Sequence, residues 1–172
     1  GHPLASMAGM RILMQGGTAA DAAVAVFATL SQVEPMMSGA GGNGFMTIYD
    51  AETGRVFSLN ATGAAPAALN AADLEPKALH RGMQAGVVPG LLGGWIALLE
   101  RFGTMTLGQV LEPAIEYAEQ GHPVDPFVVR SITRSRELLG RYPSTASVFL
   151  PDGKPPVAEQ LVTYPDLART FH

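Results

Sequence analysis

The stretch Gly16–Tyr49, GGTAADAAVAVFATLSQVEPMMSGAGGNGFMTIY, decides how the rest of the chain is read. Thr18 stands just ahead of an apolar run and Asp21 follows three residues later, the spacing of a capping box in which hydroxyl and carboxylate each take a free N–H of the first turn. From Ala19 to Val33 almost every residue is Ala, Val, Phe or Leu, and no polar stripe recurs at helical period, so the helix is expected to be covered on all sides. Pro35 lacks an N–H and disfavours helix at Glu34, which places the stop there. Gly39, Gly41, Gly42 and Gly44 then imply either positive φ or a partner backbone too close for a Cβ. Phe45 to Tyr49 has strand composition with large side chains on both faces, which suits a strand covered on both sides.

Gly39, Gly41 and Gly44 also spell G-x-G-x-x-G. The dinucleotide mechanism needs a strand before the glycines and a helix after them, because the pyrophosphate rests on that helix's N-terminus. Here the helix comes first, so the pattern reads as a tight helix-to-strand connection.

Working outward, Pro3 to Gln15 carries apolar residues at three- and four-residue spacing and forms a first helix, ended by Gly16-Gly17. After the strand, Asp50 to Arg55 has turn chemistry and Val56 to Asn60 returns as a second strand, giving an antiparallel hairpin. Residues 61–72 form an Ala- and Pro-rich loop at the end of that hairpin, a place where a rigid scaffold presents groups to a ligand. A short helical turn is expected over Asp73–Leu79 and a strand-like run over Met83–Val88. Helices follow over Leu91–Phe102, from a Thr106 cap to about Gln120, and over Phe127–Leu139, the last polar enough to lie on the surface. Arg141–Pro156, with its prolines and Pro-Asp-Gly, reads as a loop, and a final helix starts near Tyr164-Pro165.

The fold class expected is α+β, with residues 1–66 as helices plus a central hairpin and residues 67–172 as a mostly helical layer of one incomplete domain. Two strands are too few to cover an all-apolar helix, and a seven-residue helix is marginal alone, so further polypeptide is expected to complete the core.

Composition narrows the function. The chain has 172 residues, is 47% hydrophobic and carries a net charge of −4 with its 11 Lys and Arg scattered, which argues against nucleic acid as a partner. Cysteine is absent, which removes thiol chemistry and leaves the compartment open. No apolar run is long enough for a membrane-spanning helix. His2, His80, His122 and His172 share no metal-ligand spacing, so no metal or cofactor is expected. Ser6, His80 and Asp73 supply the residue types of a nucleophilic triad, but no G-x-S-x-G elbow supports one.

Taken together, His2-Pro3-Leu4-Ala5-Ser6, Gly16-Gly17-Thr18-Ala19-Ala20-Asp21-Ala22-Ala23-Val24-Ala25, Val33-Glu34-Pro35, Ser38 to Phe45, Val88-Pro89-Gly90, Glu112-Pro113-Ala114-Ile115, Gly121-His122-Pro123-Val124 and Pro165-Asp166-Leu167-Ala168 resemble, in order, the N-terminal portion of the large subunit of the gamma-glutamyltranspeptidase family. The resemblance implies a four-layer αββα N-terminal-nucleophile hydrolase fold, of which this chain is a helix-rich part. It implies a precursor that cuts itself in two and a small subunit whose N-terminal Thr attacks an amide, assembled as a heterodimer or a dimer of heterodimers. That nucleophile needs its own α-amine as base, and Gly1 has no side chain, so no catalytic residue is expected in this chain. A small-molecule amide is the expected substrate.

By the same resemblance, an Arg shortly after the second strand pairs with the substrate α-carboxylate, in the pattern Leu-Asp-x-Arg-Glu-x-Ala-Pro. Here the segment is Leu59-Asn60-Ala61-Thr62-Gly63-Ala64-Ala65-Pro66, with Asn60 for Asp, Thr62 for Arg and Gly63 for Glu. Thr offers one neutral hydroxyl where Arg offers a charged fork, and losing a charged pair in a site costs about 2–5 kcal/mol when the partner is left unpaired. Arg81, or an Arg on another polypeptide, is the candidate substitute. The substrate-binding candidates are therefore Asn60, Thr62, Gly63 and Arg81. Two enzyme readings stand: a γ-glutamyl hydrolase or transferase with a rebuilt carboxylate pocket, and an amidohydrolase similar to the cephalosporin acylases or oxamate amidohydrolases. A non-catalytic paralogue is the reading from outside enzymology.

Overall fold

The computed structural model describes residues 1–75, 77, 80, 82 and 85–172. The element order is α1 (Pro3–Met14), α2 (Ala19–Val33), β1 (Phe45–Asp50), β2 (Arg55–Asn60), a 3₁₀ turn at Ala71–Asp73, α3 (Leu91–Phe102), α4 (Leu107–Gln120), β3 (His122–Pro123), α5 (Pro126–Leu139), α6 (Pro143–Phe149), a 3₁₀ turn at Pro151–Gly153, β4 (Leu161–Val162) and α7 (Pro165–Phe171). Two compact units result: Gly1–Gly39 with Leu99–His172, and Ala40–Leu98. No helix among the described residues is long and apolar enough to cross a membrane.

In the first unit α1 and α2 meet at small residues. A Cβ on Gly9 would fall 2.7 Å from Val26 Cγ2 and 3.4 Å from the Ala22 carbonyl oxygen, so glycine sets the helix separation. The His2 side chain caps α1, its Nδ1 accepting from the Leu4 N–H. Arg11 on α1 bridges Glu112 and Glu116 on α4, and the buried Gln32 amide donates to the Ala114 carbonyl at 2.7 Å, joining α2 to α4.

The expected capping box at the start of α2 is present, and it is half of a larger arrangement. The Asp21 carboxylate is fully buried. It accepts the Thr18 N–H at 2.7 Å, the Thr104 N–H at 3.0 Å, the Thr104 hydroxyl at 3.1 Å and the Met105 N–H at 3.2 Å. The single proton of the Thr18 hydroxyl lies between Asp21 Oδ2 and the Phe102 carbonyl, each 2.9 Å away. Gly103 is required beside it, since a Cβ there would sit 2.5 Å from Asp21 Oδ1. One carboxylate thus ties the N-terminus of α2 to the turn between α3 and α4. Burial pushes its carboxyl up, but the donors of Thr18, Thr104 and Met105 outweigh burial and hold it below the usual aspartate value.

Several sequence expectations are corrected. The α2 helix is not evenly covered: Ala23, Val26, Phe27 and Leu30 are only half-buried. Arg141–Pro156 is not all loop, because Pro143 occupies the first turn of α6, where a missing N–H costs nothing. The pairing of His122 with Val162 and Pro123 with Leu161 is too short to leave a sequence signature. Gly86–Val88 is not a strand; Met83 and Gln84 of that run lie outside the described residues. The short helical turn starts earlier than expected, at Ala71–Asp73, while Pro76, Ala78 and Leu79 lie outside the described residues.

In the second unit the β1–β2 hairpin forms with Phe45 opposite Asn60 and Tyr49 opposite Val56. It is covered on one face only: Met46 is buried, whereas Phe45, Tyr49 and Val56 are 74%, 66% and 64% exposed. The sequence is apolar on both faces, but among the described residues the layer against the hairpin is α3, on the Met46 side. A Cβ on Gly94 of α3 would fall 2.3 Å from Ala61 Cβ and 3.8 Å from Met46 Cε, so the helix rests directly on the strand ends.

The Asp21 arrangement gives a test with a defined sign. Its carboxyl is depressed in the folded state, so its contribution to stability is complete above the ordinary value of about 3.9 and is lost as pH falls through the lowered value. Asp21→Ala leaves buried N–H groups unpaired at about 1–3 kcal/mol each and is expected to lower the urea unfolding free energy by about 2–4 kcal/mol. Asp21→Asn is expected to flatten the acid limb of the stability-against-pH curve. A curve unchanged in Asp21→Asn contradicts this account.

Candidate functional site

The candidate site residues lie where β2 ends. The Ala61 N–H still belongs to the hairpin, donating to the Gly44 carbonyl at 2.9 Å. Asn60 then turns the chain, its Oδ1 accepting the Thr62 N–H at 2.9 Å in an Asx turn. Thr62, whose N–H closes that turn, is exposed.

Gly63 is held by a close crossing of two backbones. A Cβ there would fall 1.3 Å from the Val88 carbonyl oxygen and 2.5 Å from the Val88 carbonyl carbon. No side chain fits that gap, so Gly63 contributes backbone only. Beside it the Val88 N–H donates to the Ala64 carbonyl at 2.9 Å. Gly90 continues the crossing: its Cβ would lie 2.7 Å from both the Ala61 carbonyl oxygen and the Gly63 nitrogen. The Leu91 N–H then donates to the Gly42 carbonyl at 3.1 Å, and a Cβ on Gly44 would strike Leu91 Cδ1 at 2.5 Å. The glycine-rich turn, the end of β2 and the start of α3 are thereby interlocked.

The glycines of the G-x-G-x-x-G pattern do not act alike. None of Gly39, Gly41, Gly42 and Gly44 has positive φ. Gly39 and Gly41 face open space, whereas a Cβ on Gly44 would meet the end of the Leu91 side chain. The helix-then-strand order excludes the dinucleotide arrangement, as the sequence implied.

Of the four substrate-binding candidates, the structure brings Asn60, Thr62 and Gly63 together on one turn. Arg81 lies outside the described residues. His80 is described, its N–H donating to the Lys77 carbonyl at 3.4 Å. The triad residue types are engaged locally instead, the Ser6 hydroxyl donating to the His2 carbonyl and the Asp73 carboxylate accepting from Asn70 Nδ2 at 3.0 Å. No three His, Asp or Glu side chains among the described residues are placed to hold a metal ion.

Sequence reasoning gave no role to His122. Its ring is buried, stacks on Tyr164 with centroids 5.8 Å apart, and approaches the Pro123 carbonyl through Nδ1 at 3.2 Å, while Nε2 has no hydrogen-bond partner among the described residues. Burial pushes its pKa down, the Pro123 carbonyl offsets part of that, and the nearby His2 lowers it further. Burial likewise raises the Tyr164 hydroxyl. The only sequence signal was the repeated His-Pro at positions 2 and 122.

Comparison with known proteins places this geometry in context. The profile of the family described as Gamma-glutamyltranspeptidase matches residues 5–172. The chain is 38% identical to the glutathione hydrolase proenzyme of Bacillus subtilis (strain 168), over 99% of this chain and 30% of that protein. It is 41% identical to the acylase ACY 1 proenzyme of Pseudomonas sp. (strain SE83), over 90% of this chain and 30% of that protein. The crystal structure of Helicobacter pylori gamma-glutamyltranspeptidase superposes with a TM-score of 0.94 at 32% identity, covering 99% of this chain and 51% of that one. The chain thus spans less than a third of the length of these curated relatives.

The crossing makes an unequal prediction for chemically identical substitutions. Gly63→Ala must displace the Val88 backbone and is expected to cost more than about 2 kcal/mol, read as a fall in thermal midpoint. Gly41→Ala enters open space and is expected to stay within about 0.5 kcal/mol. Equal effects of the two contradict the crossing.

Proposed function

The chain belongs to the gamma-glutamyltranspeptidase family, and from that premise we propose that it forms one wall of the acyl-binding chamber of an N-terminal-nucleophile amidohydrolase. In this reading its helices and hairpin are part of a four-layer αββα sandwich completed by a small subunit cut from the same precursor. The small subunit's N-terminal Thr is the nucleophile. Its Oγ proton passes to its own α-amine as Oγ attacks the amide carbonyl carbon. The C–N bond breaks, the proton goes to the leaving amine, and an acyl ester remains on Thr. Water then cleaves that ester and releases the acid.

The observation that carries the substrate assignment is Thr62 on the Asn60 turn, beside a backbone crossing that leaves no room for a side chain at Gly63. A neutral hydroxyl there selects acyl groups differently from a guanidinium. It can donate or accept one hydrogen bond, and it does not neutralise a carboxylate. The reading supported best is therefore hydrolysis of a small acyl amide with weak γ-glutamyl specificity and poor transfer to peptides. Arg81 is the one residue of this chain proposed as an alternative carboxylate partner.

The test uses the purified, processed enzyme. Butyryl-p-nitroanilide is expected to be hydrolysed with kcat/KM at least about 30-fold above that of γ-glutamyl-p-nitroanilide, the ratio that corresponds to about 2 kcal/mol of lost charge pairing. Thr62→Arg is expected to raise γ-glutamyl turnover at least about tenfold, and Arg81→Ala to leave the butyryl substrate unaffected. Robust γ-glutamyl transfer to glycylglycine by the unmodified enzyme overturns the assignment.

A further inference from the structure

We propose that a groove of the first unit, between α5, Phe149 at the end of α6 and Pro35 after α2, binds a small organic anion: a carboxylate on a medium-length apolar body. The groove has a volume of about 260 Å³, below the ~300–1,000 Å³ of sites for drug-sized ligands, so its occupant is small. Its floor is apolar, made by Val128, Ile132, Leu139 and Phe149, which belong to one packed cluster, with Pro35 on the opposite side. An apolar ligand body removes that floor from water.

Charge fixes which end of the ligand carries its polar group. Ser131, Arg134 and Ser135 also line the groove, and their spacing puts them on one face of α5. The other arginines of this region are engaged. Arg130 lies over the Phe127 ring at 5.8 Å, Arg136 donates to the Gly153 carbonyl at 3.0 Å, and Arg141 pairs with Glu137 at 2.8 Å. Arg134 has no hydrogen-bond or ion-pair partner among the described residues. No acidic side chain is among the groove's described lining residues, although the chain as a whole is acidic. Arg134 is exposed and also borders the neighbouring pocket that Glu137 lines, and an arginine lining an apolar groove beside the half-buried Ser131 and Ser135 suits a carboxylate.

Isothermal titration of the purified protein with octanoate, octanamide and acetate tests the assignment. Octanoate is expected to bind, with methyl NMR shifts at Val128 and Ile132. Octanamide, which lacks the charge, and acetate, which lacks the body, are each expected to bind at least about tenfold more weakly. Arg134→Gln is expected to weaken octanoate at least about tenfold while leaving the ligand-free melting midpoint unchanged, because Arg134 is exposed and unpaired. Absence of octanoate binding, equal affinity for the amide, or undiminished octanoate affinity in Arg134→Gln overturns the proposal.

Discussion

Two stretches of backbone pass each other at Gly63 and Val88 with no side chain between them, and the second unit is built around that passage. Close approach of backbones gives direct hydrogen bonding and dense packing, but it demands glycine wherever a Cβ would intrude. The demand is met at Gly63, where a Cβ would collide with the Val88 carbonyl, and at Gly90, where it would collide with the Ala61 carbonyl oxygen and the Gly63 nitrogen. Three N–H groups then close the arrangement: Ala61 to Gly44, Val88 to Ala64 and Leu91 to Gly42. The loop that carries Asn60 and Thr62 is therefore anchored on both sides of its turn. Hydrogen bonds on both sides of a turn hold its backbone in place.

The first unit solves its assembly problem with a charge. A buried carboxylate is costly unless its lone pairs are filled. Asp21 meets that condition with donors from Thr18, Thr104 and Met105, drawn from both ends of the α2–α4 packing. Gly103 makes room for it, so a glycine again marks the point of closest approach. Gly9 of α1 lets that helix close on α2, and on α2 the Gln32 amide reaches the Ala114 carbonyl of α4.

Local features were legible in the sequence, and long-range ones were not. The capping box at Thr18/Asp21 is read from residues three apart and forms, and the Thr106 cap also forms, in the structure as a box with Gln109. The bounds of α1, α2, α3, α4, α5 and α7 follow from apolar spacing, proline and glycine to within a residue or two. Pro143 misled because proline stops a helix from inside but starts one from the first turn. The apolar composition of β1 said that both faces can be buried, not that this chain buries both. At the site, Asn60 and Thr62 were found through a motif, and the Asx turn between them is local. The reason Gly63 must be glycine was invisible, because the obstructing atom belongs to Val88, far along the chain. The same holds for Asp21, whose partners Thr104 and Met105 carry no pattern linking them to position 21.

The most direct test of the interlocked loop is residue-resolved amide hydrogen exchange. If the crossing anchors the Asn60–Ala64 turn, the Ala61, Val88 and Leu91 amides exchange slowly and together, as one cooperative unit, with protection comparable to the strand amides of β1 and β2. If Val88 and Leu91 instead exchange as fast as the open loop at residues 66–70, the two backbones are not held against each other and the account of the site fails.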